Sequence, residues 1–109
     1  MVLLTGFLLI CSLSGCNSTG KKPKTESITM FEQDGVSSAY VPMSIIVPVG
    51  TTVIWRNNVK LPHTVTSNDG LFSSNEILPG SSFNYTFTQA GIFAYHCDLH
   101  DMAGTVIIE

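Results

Sequence analysis

Residues 95–104 read Tyr-His-Cys-Asp-Leu-His-Asp-Met-Ala-Gly, which places one thiol, two imidazoles and one thioether in a short stretch of an otherwise apolar chain. These are donor groups for soft and borderline transition metals. Cys97 reads as the end of a strand that begins at Gly91, so Phe93, Tyr95 and Cys97 share one face while Ala94 and His96 take the other. His96 is therefore expected to be structural or on the surface. A tight loop leaving the strand end can return His100 toward the sulfur. The next donor lies far away in sequence: His63, within Pro62-His63-Thr64-Val65-Thr66, opens a β-branched strand held at its start by a proline that lacks an amide donor. If residues 100–102 are extended, the His100 ring and the Met102 thioether point the same way and Asp101 faces out.

The candidate metal ligands are thus His63, Cys97, His100 and Met102. Structural zinc sites favour four strong ligands, commonly pairs of cysteines, and here only one cysteine is available. Two imidazoles and a thiolate in a trigonal plane, with a long axial thioether, form the ligand set of blue-copper electron-transfer centres. One copper ion is the expected cofactor.

The elements that must position these groups are strands. The chain has 109 residues, 44% of them apolar and 12% charged, which fits one globular domain. Phe83-Asn84-Tyr85-Thr86-Phe87 alternates cleanly, and Thr51–Arg56 and Thr105–Ile108 are rich in β-branched residues. Turn signals at Gln33-Asp34-Gly35, Pro48-Val49-Gly50, Asn68-Asp69-Gly70, Pro79-Gly80 and Ala90-Gly91 separate the runs. The expected fold class is all-β, a β-sandwich of seven or eight short strands over residues 27–109, with an irregular segment near 67–78. A domain of this size buries only about 60–65% of its unfolded surface, so bound metal would widen a thin margin of stability.

The amino terminus has a different character. Val2–Leu13 is apolar but too short to span a bilayer, and it ends in Leu13-Ser14-Gly15-Cys16, which resembles a bacterial lipobox. The expectation is a signal peptide over 1–15, lipidation of Cys16 and a flexible linker over 16–26; a simple secretory signal is the alternative. Either way the domain works outside the cytoplasm, in the periplasm or at the cell surface. With Cys11 in the signal and Cys16 lipidated, Cys97 is the one thiol left in the domain, so no internal disulfide forms. All eight acidic residues lie from Glu26 onward, while the domain keeps only Arg56 and Lys60 as bases. This balance argues against nucleic acid and for a partner with a basic docking surface.

The motifs come in a telling order. Tyr40-x-Pro42, Val47-Pro48-Val49-Gly50, Val53-x-Trp55-x-Asn57 and Leu61-Pro62-His63-Thr64-Val65 fill the first half. Gly70-x-Phe72-x-Ser74, Leu78-Pro79-Gly80, Phe83-x-Tyr85-x-Phe87, Gly91-x-Phe93-x-Tyr95-His96-Cys97-x-x-His100 and Met102-x-Gly104 fill the second. From Tyr40 to Val106 the chain resembles a small cupredoxin of the plastocyanin, pseudoazurin and amicyanin group. That resemblance implies a Greek-key β-sandwich with one type 1 copper, acting as a monomeric carrier of single electrons between redox proteins. It also implies a buried His63 and a solvent-facing His100, ringed by Leu61, Pro62, Leu99 and Ala103. The chain departs from the group in two places near the metal: Leu99 stands where many relatives have Pro, freeing an amide for the Cys97 sulfur, and the spacing is His-x-Met rather than His-x-x-Met.

Other functions are weaker. A multicopper enzyme needs a second centre built from further histidines, and the chain has three His in all. A copper carrier or storage protein without a redox role is the closer rival, but Met30, Met43 and Met102 form no cluster in sequence.

Overall fold

Alternating apolar residues need two layers between which to be buried, and the chain supplies them as two four-stranded sheets. A computed structural model describes residues 24–32, 35 and 37–109. The expected signal peptide, Cys16 and most of the linker lie outside the described residues. The strands are β1 (Thr25–Glu32), β2 (Ser38–Val41), β3 (Ser44–Val47), β4 (Thr52–Asn57), β5 (Thr66–Ser67), β6 (Ser82–Thr86), β7 (Gly91–His96) and β8 (Ala103–Ile108). Thr25 and Glu26, which composition assigns to the linker, already pair with Thr52 and Val53 of β4.

One sheet has the order β2-β1-β4-β6 and the other β3-β8-β7-β5. β1 runs parallel to β4 and β3 parallel to β8, whereas β7 and β8 form an antiparallel pair. Most connections therefore cross from one sheet to the other. The fold is the all-β sandwich expected, with eight strands among the described residues.

The inward faces are Ile28 and Met30 of β1, Val53 and Trp55 of β4, Tyr95 of β7, and Val106 and Ile108 of β8, all buried. Fully burying one such side chain contributes about 1.5–3 kcal/mol. Aromatic rings hold the centre: Trp55 meets Tyr95 edge-on at 5.3 Å between ring centroids, and Tyr95 meets Tyr40 at 4.8 Å. Gly104 makes room for this packing, because a Cβ there would fall 2.3 Å from the Tyr95 hydroxyl oxygen and 2.4 Å from its ring carbon Cζ.

The segment around His63 departs from expectation. It is not a regular strand; His63 makes a single antiparallel bridge to Ile77, and regular pairing with β7 starts only at Thr66. The reason lies in where its amides go. Pro62 has none, the Thr64 amide donates to Cys97 Sγ, and the Val65 amide donates to Ser74 Oγ. The irregular 67–78 segment is thereby tied to the metal-ligand region, since the His63 and Ile77 backbones exchange hydrogen bonds of 3.2 and 2.7 Å.

Candidate metal centre

Three elements converge at one end of the sandwich: the segment after β4, the end of β7 and the β7–β8 loop. Asn57 anchors the first. Its fully buried side chain donates from Nδ2 to the carbonyls of Leu61 and Ile77 and accepts at Oδ1 from the Val59 amide. All of the polar capacity of its side chain except one acceptor site is used, so the turn leading to His63 is fixed. Tyr40 adds a second clamp, its hydroxyl donating to the Thr64 carbonyl at 2.6 Å. Burial pushes the Tyr40 phenol well above its usual range, and the nearby Cys97 charge adds to this, so the hydroxyl stays a donor.

His63 is completely buried, Cys97 is 6% exposed, and His100 is exposed on the loop. The Nδ1 atom of His63 lies 3.6 Å from Cys97 Sγ and 3.0 Å from His100 Nδ1. The ligand atoms of His63, Cys97 and His100 all fall within 4.8 Å of one another. Donors placed about 2 Å from a shared first-row ion in one plane are separated by roughly 3.5 Å, so the spacing suits a mononuclear centre. Burial, and then electrostatic repulsion from the neighbouring His100, hold the His63 imidazole below its ordinary pKa, which favours the neutral, metal-ligating form.

The sulfur has two amide donors, from Thr64 at 3.3 Å and Leu99 at 3.4 Å. N–H groups aimed at sulfur stabilise the negative charge that the sulfur carries when it ligates a metal. The Leu99 contact is the one expected from a non-proline residue at that position. Thr64 was not singled out by sequence reasoning. Its hydroxyl accepts from the Asp98 amide at 2.8 Å and bonds to Thr66 Oγ1 at 3.1 Å, while Thr66 Oγ1 donates to Asp98 Oδ2 at 2.8 Å. Because the Thr66 proton goes to the carboxylate, the Thr64 proton must go to Thr66, and the ring of bonds has one direction. This ring fixes Thr64, and with it the amide that faces the sulfur.

His96 points away from the sulfur, as strand parity predicts. Its Nδ1 contacts Asn68 Oδ1 at 2.5 Å and its Nε2 contacts Asp98 Oδ1 at 3.1 Å.

The backbone expected around Met102 requires a correction. Residues 100–102 are not extended: the Met102 amide donates to the His100 carbonyl at 3.0 Å, a three-residue turn about Asp101, and the Cys97 amide closes the loop on the Met102 carbonyl at 3.1 Å. The loop must reverse direction between His96 and Ala103, which pair with each other, and an extended run cannot do so. Met102 is nonetheless buried, and it lines a groove with Leu61, Ser38 and His100. Leu61, 50% exposed, shares that groove with His100, and Leu99, 45% exposed, precedes His100 in the chain.

A family model for the cupredoxin-like domain matches residues 2–108. Plastocyanin of Sambucus nigra is 29% identical over 92 residues, spanning 72% of this chain and 92% of its own length. Amicyanin of Paracoccus denitrificans is 35% identical over 77 residues, spanning 64% of this chain and 58% of its own. Among solved structures, a purple cupredoxin from Nitrosopumilus maritimus superposes with a TM-score of 0.69 at 29% identity, covering 77% of this chain and 99% of that one. An oxidised amicyanin variant gives 0.68 at 26% identity, covering 82% and 86%.

Proposed function

This chain belongs to the cupredoxin family, and from that premise we propose that it is a membrane-tethered carrier of single electrons, not an enzyme, using one copper ion held by His63, Cys97, His100 and Met102. The observation that carries the reading is the convergence of two imidazole nitrogens and one thiolate at a single point, with one ring buried and the other open to solvent. Copper in such a set supplies exchange of one electron between Cu(I) and Cu(II).

The chain's own residues divide the work. Asn57, Tyr40 and the Thr64–Thr66–Asp98 ring hold His63 and the sulfur in place, so little rearrangement accompanies a change in charge. The His100 edge, among Leu61 and Leu99, is the electron port for a redox protein. Asp98 and Asp101, both exposed and within two residues of it in the chain, favour a partner with a basic docking surface. The tether is supported by Leu13-Ser14-Gly15-Cys16, and a domain tethered in this way would work outside the cytoplasm.

The test is an optical spectrum of the domain after addition of Cu(II). An intense thiolate-to-copper band toward the red end of the visible is expected, reversible on one-electron reduction and abolished by Cys97→Ser without loss of the β-fold. Tight but colourless copper binding would favour storage instead. For the tether, the wild type is expected to stay with membranes through a salt wash and Cys16→Ser to be released or left unprocessed; wild type recovered unmodified in the soluble fraction removes the tether alone.

A further inference from the structure

The outward face of the β3-β8-β7-β5 sheet is graded from one end to the other. Ile46 of β3 and Ile92 of β7 both pair with Ile107 of β8. Cross-strand partners project to the same side, and because Val106 and Ile108 are buried, these three isoleucines form one outward row. Ile46 is 63% exposed and Ile92 74%. The next row along is Ser44, Thr105 and Ala94, and the row nearest the metal is Ala103, His96 and Thr66, with Asp98 beside it. The face thus runs from apolar, through small and neutral, to polar and acidic.

The apolar row sits where the described chain begins. Val47 and Gly91 both pair with Ile108, and the turn after Val47 carries the exposed Val49 straight into β4. There Thr52 pairs with Thr25, and its amide bonds the Lys24 carbonyl. Cys97 lies at the other end of β7, about 17 Å from Ile92 at the usual rise of a strand.

We propose that Ile46, Ile92 and Ile107, with Val49, form a docking face for the surface of a lipid bilayer, which holds the domain so that its His100 end faces away from the membrane. The inference rests on the reading of Cys16 as lipidated. Eight positions separate Cys16 from Lys24, at most about 29 Å of chain however it runs, so the end of the sandwich that carries the isoleucines is the end kept near the lipid. The charges agree with this orientation. Lys24 stands at the tethered end with Lys21 and Lys22 before it in the sequence, a run that suits anionic headgroups, whereas Asp98 and Asp101 lie at the far end, which such headgroups repel. Of the acids toward the near end, Glu26 is paired with Lys24 at 3.6 Å; Asp69, which lines a groove with Thr88, Gln89 and Phe93, accepts from the Ser67 hydroxyl and the Leu71 amide; and Glu109 follows Ile108 at the strand terminus, where its amide bonds the Val47 carbonyl.

The test uses the full chain in nanodiscs of phosphatidylcholine and phosphatidylglycerol carrying a gadolinium-chelate headgroup lipid. Mass spectrometry first establishes whether Cys16 bears lipid, and paramagnetic broadening of amide signals then reads the orientation. Broadening is expected to be several-fold greater at Ile46, Ile92 and Ile107 than at Asp98–His100, and to become even along the strands in the Ile46→Asn/Ile92→Asn double variant, whose copper band stays intact. An unmodified Cys16 overturns the tether and the docking face with it. A lipidated chain with even broadening, or with the strongest broadening at His100, overturns the docking face alone. Concentration-dependent dimers of the Cys16→Ser chain that the double substitution abolishes also overturn it, because the face would then serve a second copy.

Discussion

The amide of Thr64 donates to Sγ of Cys97 over 3.3 Å, linking the residue after one imidazole to a thiolate 33 positions away. With the Leu99 amide at 3.4 Å, the sulfur has two N–H dipoles aimed at it. Such donors stabilise negative charge on sulfur, which is greatest in the reduced centre, so they raise the reduction potential. Leu99→Pro deletes one donor and leaves the other. If that bond favours the reduced state by about 1 kcal/mol, the potential falls by about 40 mV. Voltammetry of the copper form checks this; an unchanged or higher potential would show that the contact does not tune the sulfur.

Gly104 is a packing requirement of Tyr95. A methyl group at 104 would overlap both the hydroxyl and the Cζ of that ring, at 2.3 and 2.4 Å. Gly104→Ala is expected to cost about 1–3 kcal/mol, read as a lower midpoint in denaturant unfolding. Tyr95→Phe should not rescue it, because Cζ remains. Tyr95→Leu in the Gly104→Ala background should recover part of the loss; recovery by Tyr95→Phe would mean that the hydroxyl alone sets the constraint.

Local patterning made much of this legible. The parity of β7 separates Cys97 from His96, and the structure keeps them apart, with His96 bonded to Asn68 and Asp98. The alternation of residues 83–87 and the β-branched run around Val53 became β6 and β4 nearly as read. What escaped depends on partners distant in sequence. Asn57 stood in a motif, but its role requires Ile77, 20 positions on. Thr64 looked like a β-branched strand residue, whereas its amide serves a sulfur and its hydroxyl serves Asp98. The turn at Asp101 was missed because two-residue parity presumes an extended backbone, while the loop between His96 and Ala103 has to reverse within a few residues.

The metal-free domain should lose stability as the pH falls. Burial, aided by His100, lowers the folded pKa of His63 below the value of about 6.5 that it has when unfolded. Below that value the unfolded chain binds more protons than the folded one, so this contribution is complete above about pH 6.5 and shrinks as acid is added. Copper affinity should fall in the same direction, since protons and metal compete for the ring. Denaturant unfolding of the metal-free chain at a series of pH values tests the sign. A slope that His63→Gln leaves untouched would assign the effect to other groups.

The last prediction concerns Met102, whose placement by a turn separates two roles that sequence spacing had merged. Its backbone closes the ligand loop through the Cys97 amide and the His100 carbonyl, and those bonds survive any change of side chain. Its side chain is buried beside His100 and Leu61, where the thioether is a soft, weak donor. Met102→Leu should therefore still bind copper and keep a strong thiolate band, because His63, Cys97 and His100 remain. Its potential should rise, since a donor that stabilises the oxidised metal is lost; a shift on the order of 60 mV corresponds to a tenfold change in relative affinity for the two oxidation states. Met102→Gln brings a harder oxygen donor and should move the potential the other way. Paired voltammetry and optical spectra of the two variants decide the matter. If neither variant changes in potential or spectrum, the Met102 side chain only packs, and a backbone carbonyl near Leu61 or Pro62 would be the remaining candidate for a fourth ligand.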